Sequence, residues 1–512
     1  MRCLRSLSFL ALVAGATPAL ANDPAEAVRA ARAHRERHGV AILQDFVALL
    51  AIPNTPAYPE GLVRNAEALR ERFAARGVET EIWTAEGAAP VVYGRIDAPG
   101  ARRTIGIYAH YDGQPVEAAH WTNPPFEPAL YTAAIEAGGV RRALPKVGEA
   151  IDPEWRIYAR AAGDDKAPIV ALLAALDALS AGGFAPTSNV VFLFEGEEER
   201  GSPHLSSYLA RHRERLAVDA WLFADGPVHT SRRPQLVFGV RGIAGLDLTV
   251  YGPVRALHSG HYGNWAPNPA LRLARLLASM VDDDGRVKIA GFYDTTRPPN
   301  PAEREAIARL PDTDPELRRE LGLATTDGGG ASLAERLLEP ALNVRGLDAG
   351  PVGDAVANAI PKSATASIDL RLAPGNDPVA MLELVARHVR AQGYHLVEAE
   401  PDLATRLAHP RLARIDRDVG YPAVRTALDA PGMREVARAA EAAAAEPLVI
   451  VPTLGGSLPL YLFLDTPERP IVIVPIANHD NNQHAADENL RLANLWYGID
   501  LFAALLRMPD GA

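Results

Sequence analysis

Five short segments of this 512-residue chain each follow an apolar run and end in imidazole or carboxylate side chains. They are IGIYAHYD with His110 and Asp112, RAAGDDKAP with Asp164 and Asp165, VVFLFEGEEERGS with Glu198 and Glu199, WLFADG with Asp225, and IVIVPIANHDNNQHAADE with His484. A hydrolytic zinc site needs nitrogen ligands, several oxygen ligands and a spare carboxylate to take a proton from the activated water. The set is therefore a candidate dinuclear metal site, scattered in sequence and gathered in space. Each segment alone has a bland reading: a loop histidine for H-x-D, a solvated helix face for the glutamate run, an ordinary turn for Asp225-Gly226. Phe192 to Phe194 directly precede the glutamate run, which places it at the edge of a buried strand instead.

The elements that must position these residues alternate between strands and helices. Short apolar runs at 104–109, 189–194, 220–224 and 471–476 read as buried strands, and helical patterns occupy 28–50, 60–76, 168–180 and 490–507. That is the signature of an α/β fold with a largely parallel central sheet flanked by helices. Four of the five segments fall at the C-terminal ends of strands, where open α/β sheets bind their ligands. Between 241 and 405 the texture changes to period-2 alternation, at 246–251 and 365–372, with helices at 269–281 and 376–392. This predicts an inserted α+β lid or dimerisation domain dividing a catalytic domain into residues 22–240 and 406–512. Residues 284–330 read as a long excursion on the insert, and 131–155 as a second loop-like insertion.

The net charge of −11 argues against nucleic acid or an anionic membrane surface as partner. Residues 1–21 have the form of a cleavable signal peptide: Arg2 and Arg5, an apolar stretch from Leu7 to Ala16, and Ala19-Leu20-Ala21 before Asn22. No later segment is a membrane span. Cys3, the only cysteine, lies inside the signal, so a periplasmic or secreted mature chain without disulfides is expected.

In order along the chain stand H-x-D after a strand, D-D-K before a helix, E-G-x-E-E-x-G-S, Asp225, H-S-G-H-Y-G, N-x-I-P, G-G-S-L-P and a late His followed by x-x-x-E. Together they resemble the dinuclear zinc exopeptidase family of carnosinase, carboxypeptidase G, aminoacylase and succinyl-diaminopimelate desuccinylase, and most of all its carnosinase-like dipeptidase branch. The resemblance implies that His110 ligates one ion and His484 the other, that Asp164 bridges them, and that Glu199 and Asp225 each complete one ion's shell. It implies Glu198 as the general base and later acid, and Asp112 as acceptor for the His110 imidazole, the usual outer arrangement at a metal-bound histidine. His204 and His479 match no family position and are read as loop residues.

On the insert, the resemblance implies that His258 reaches a neighbouring subunit's active site and polarises the scissile carbonyl. Arg371 would hold the substrate carboxylate, Asn358 would line the same pocket, and Gly455, Gly456 and Ser457 would offer a small-residue loop to it. Where the family has Gly-Arg-Gly and a later Gly, this chain has Ala159-Arg160-Ala161 and Ala167, which predicts a somewhat different loop path. The expectation is a homodimeric metallopeptidase with two zinc ions per subunit, manganese or cobalt being alternatives, acting on a small peptide as a dipeptidase or carboxypeptidase-like exopeptidase. Alternatives are an N-acyl-amino-acid deacylase and a non-catalytic binding protein that retains the fold.

Overall fold

A computed structural model describes residues 23–464 and 469–509. The expected signal peptide and Cys3 lie outside the described residues. Eight strands form the central sheet, in the order Glu79–Trp83, Val91–Ile96, Asn189–Glu195, Thr104–His110, Ala220–Phe223, Ile471–Ile473, Gln235–Val237 and Val449–Val451. The four in the middle are mutually parallel, so their C-terminal ends open on one rim of the sheet.

Strand Thr104–His110 shows how the sequence builds this layer. Ile105, Ile107 and Ala109 point to one face, beneath helices Pro24–Leu50, Lys166–Ala181 and Leu492–Leu506, while Tyr108 joins Trp221 and Phe223 on the other. This alternation is the period of 2 that a strand requires. Gly106 falls on the Trp221 side, and a Cβ there would lie 2.3 Å from the indole. Only glycine lets that ring lie flat on the strand.

A five-stranded sheet carries the insert, in the order Ala341–Asp348, Ser363–Leu372, Gly242–Tyr251, Leu412–Tyr421 and His395–Leu396. Helices Pro269–Met280 and Pro378–Ala391 cover one of its faces over Leu246, Leu248, Ile368 and Leu370. Asn268 and Asp377 cap them by accepting backbone N–H bonds, each followed by a proline in the first turn. The expected boundary at 405 falls short of this sheet, because Leu412–Tyr421 pairs along Gly242–Tyr251. Its residues 416–418 are exposed and charged, which broke the apolar alternation that marks the other strands.

The crossing segments lie side by side, Gly239–Val240 against Val424–Arg425. The excursion at 284–330 is partly ordered into helices Pro301–Ala308 and Asp314–Glu320, and 131–155 contributes strand Arg141–Arg142 to a small four-stranded sheet. Among the described residues, no helix is long and apolar enough to cross a membrane.

Candidate metal centre

His110 ends its strand fully buried on the open rim. Its Nε2 lies 2.8 Å from Asp164 Oδ1 and 3.9 Å from Asp225 Oδ2, the latter just past strand Ala220–Phe223. His484 Nε2 lies 3.2 Å from Asp164 Oδ2 and 3.2 Å from Glu199 Oε2. Two potential ligand groups result: His110, Asp164 and Asp225, and Asp164, Glu199 and His484. Asp164 belongs to both and turns one oxygen to each histidine.

Asp165 is directed elsewhere. Its Oδ2 accepts the backbone N–H of His110 at 3.2 Å, and burial pushes its carboxyl well above the ordinary range. Lys166, the lysine of D-D-K, is buried and donates to the carbonyls of Leu49 and Ile52, pinning the start of helix Lys166–Ala181 to the end of the N-terminal helix. Gln483 and Gln114 were not read as site residues, yet both touch the cluster. Gln483 Nε2 donates to Asp164 Oδ2 at 2.6 Å, and Gln114 donates to both oxygens of Glu199, from its backbone at 3.2 Å and from Nε2 at 2.8 Å. A lone glutamine carries no spacing signal of its own.

Asp112 Oδ1 lies 3.3 Å from His110 Nδ1, without the alignment of a hydrogen bond. Its two oxygens instead accept the backbone N–H groups of Glu198 and Glu199, each at 3.1 Å. Asp112 therefore anchors the turn from which the two glutamates diverge, a role the imidazole contact alone did not suggest. Glu199 turns toward His484, while Glu198 belongs to neither ligand group.

The charges explain what the cluster needs. Burial raises the Glu198 carboxyl well above the usual range, and Asp225, Asp164 and Glu199 add repulsion that outlasts the opposing pull of His110. Burial, then Asp164, raises Asp225 to about 7. Asp164 and Glu199 hold the His484 imidazole up at about 10. Burial would lower His110, but Asp112 and Asp164 hold it well above its ordinary value. The carboxylates thus favour positive charge at both imidazoles, and divalent cations would meet the same demand more strongly in place of protons. Two imidazoles and three carboxylates, one of them shared, fit a pair of such ions.

On the insert side, Arg371 donates from Nε to Asp369 at 2.9 Å and from Nη1 to Ser457 Oγ at 3.3 Å. Ser457 in turn donates to the Arg241 carbonyl at 2.8 Å. The structure thus joins Arg371 to the Gly455, Gly456 and Ser457 loop across the two crossing segments. Arg241, buried beside Arg371, and Tyr421, whose phenol is raised by burial and by Glu198 despite Ser457, are neighbours that no motif announced. His258 and Asn358 come together on another part of the insert: strand Leu257–His258 pairs with Ala359–Ile360, and the Asn358 carbonyl accepts the Ser259 N–H at 2.9 Å. Both are exposed, unlike His110, Asp164 and Asp225. His204 pairs with Glu197 at 2.8 Å, and His479 is an exposed loop residue.

Residues 106–508 match the model of peptidase family M20/M25/M40. The chain belongs to this family. The M20/M25/M40 chain is 24% identical over 427 residues to a Cys-Gly metallodipeptidase of Schizosaccharomyces pombe, covering 81% of each. It is 24% identical over 438 residues to the human Beta-Ala-His dipeptidase, covering 81% of this chain and 76% of the other. The solved structure of an M20 family metallo-carboxypeptidase from Sulfolobus solfataricus aligns with a TM-score of 0.74 and 28% identity, covering 92% of this chain and 99% of that one. The resemblance read from the motifs holds: this M20/M25/M40 chain is a metal-dependent peptidase with a site for metal on the open rim of its sheet.

Proposed function

We propose that the chain is a dinuclear zinc dipeptidase, with His110, Asp164 and Asp225 holding one ion and His484, Asp164 and Glu199 the other. The observation that carries this reading is the placement of Asp164 between two histidines, beside a half-buried glutamate that no ligand group uses. When bound, the two ions would supply a lowered pKa for a coordinated water and Lewis-acid polarisation of the scissile carbonyl. Glu198 takes the proton from the attacking water and returns it to the leaving amine, tasks open to a carboxylate that lies outside both ligand groups. Arg371, steadied by Asp369 and Ser457, binds the free carboxylate of the substrate, so cleavage is confined to a terminal residue. The dipeptidase names of the relatives support a dipeptide as substrate. A panel of dipeptides and N-acyl amino acids, assayed with and without chelator, tests the reading: dipeptides turn over and the chelator abolishes it. Preference for N-acyl amino acids would make the enzyme a deacylase.

His110→Ala, Asp164→Ala and His484→Ala each lose metal together with activity, because each removes a ligand or the shared carboxylate. Metal analysis by mass spectrometry decides it. Two full equivalents of zinc in the Asp164 variant would move the bridge to another group.

The proposal extends to an exported protein, from the form of residues 1–21. The mature chain is expected to begin at Asn22, and intact mass measurement of exported protein checks this. A mass that retains Cys3 refutes it.

A further inference from the structure

We propose that the buried Arg160–Glu488 ion pair is the positioning device for the two metal-bearing loops, holding Asp164 and His484 in register with each other; this rests on the metal reading above. Glu488 is wholly buried, and its carboxylate is saturated by one short stretch of chain. Oε1 accepts the backbone N–H groups of Gly163 at 2.9 Å and Asp164 at 3.0 Å. Oε2 accepts the N–H of Ala161 at 3.0 Å and Arg160 Nη1 at 2.7 Å. With four donors, the group has no lone pair to spare for a metal and belongs to neither ligand group. Its partner reaches the other way. Arg160 Nη2 donates at 3.2 Å to the carbonyl of Ala485, the residue after His484. One ion pair therefore clasps the loop that presents the shared carboxylate and the loop that presents the second histidine.

Backbone conformation shows why a clasp is needed in this chain. Ala161 sits at φ 62° and His484 at φ 64°, both in the left-handed region. Ala161 thus holds a glycine-favoured conformation with a Cβ present. An alanine holds that conformation only when its surroundings impose it. The Ala161 N–H bond to Glu488 is the contact that does so, and the next two N–H bonds carry the constraint to Asp164. Outer groups that orient ligands in this manner are typically worth about 10-fold to 100-fold in metal affinity.

Glu488→Gln replaces one acceptor oxygen by an NH₂ that faces backbone N–H donors, and it leaves Arg160 buried without a counter-charge. Zinc affinity, measured by competition with a chromophoric chelator, is expected to fall about 10-fold to 100-fold with the circular dichroism spectrum unchanged. Adding Ala161→Gly to that variant is expected to restore part of the loss, since glycine adopts the same φ unaided; Ala161→Gly alone keeps the parental affinity. A merely structural pair would lower thermal stability, leave zinc affinity at the parental level and show no rescue. If Glu488→Gln does not fold, Arg160→Lys keeps the charge and gives up the second donor to Ala485, and the same loss is expected there. A parent that fails to bind two zinc ions overturns the metal reading itself. A parent that binds two, with the soluble variant within about twofold of it, overturns the positioning role.

Discussion

Glu198→Gln keeps both metal ions and loses about 100-fold to 10,000-fold in turnover, the range that general acid–base assistance supplies. The substitution preserves shape and removes the proton acceptor. The metals should stay because Glu198 lies outside both ligand groups, whereas its neighbour Glu199 lies against His484. The turn should also survive, since Asp112 holds it through the backbone N–H groups of residues 198 and 199 and not through the side chain that changes. Burial first, and then Asp225, Asp164 and Glu199, raise the Glu198 carboxyl against the pull of His110 in the metal-free chain. Metal content and kcat are measured on the same preparation. A metal-replete variant with kcat within about tenfold of the parent assigns the proton transfer to another group.

The parts of this molecule that could be read from sequence are those where one side chain repeats a simple rule. Apolar runs at 104–109, 189–194 and 220–224 are strands because both of their faces are covered, so nothing interrupts the hydrophobic pattern. The gathering of the candidate metal-binding residues was legible for a related reason. A parallel sheet delivers every strand's end to one rim, so an acidic residue or histidine just past such a run has few other places to be. Strand Leu412–Tyr421 escaped notice because its outer half is exposed and charged. The contacts of Gln114, Gln483, Arg241 and Tyr421 were invisible since they depend on the distance between loops far apart in sequence. Ala161 is the instructive case. Its residue type disfavours the left-handed conformation it adopts, and the contact from Glu488 maintains that conformation against local preference.

Mixing a His258→Ala variant with a Glu198→Gln variant is expected to restore activity that neither has alone. Within one chain, His258 stands on an exposed two-stranded ribbon of the insert, its Nδ1 accepting the Gly260 N–H, while the metal cluster lies on the rim of the other sheet, with His110, Asp164 and Asp225 buried. The insert also leaves apolar surface uncovered near a sheet edge: Val344 and Leu347 on strand Ala341–Asp348, and Trp265, 81% exposed, close after the H-S-G-H-Y-G segment. An unprotected edge with apolar side chains favours pairing with a second copy. In a two-fold dimer each insert would then present His258 to the opposite site, where a preorganised donor to the developing oxyanion is worth about 3 kcal/mol. Random exchange of equal amounts places half the subunits in mixed dimers, and one of the two sites in each has both wild-type groups. About a quarter of the parental activity should return. Subunit exchange is followed independently by native mass spectrometry of an isotope-labelled partner. Exchange without recovered activity confines His258 to its own chain and leaves the carbonyl to the metal ions alone.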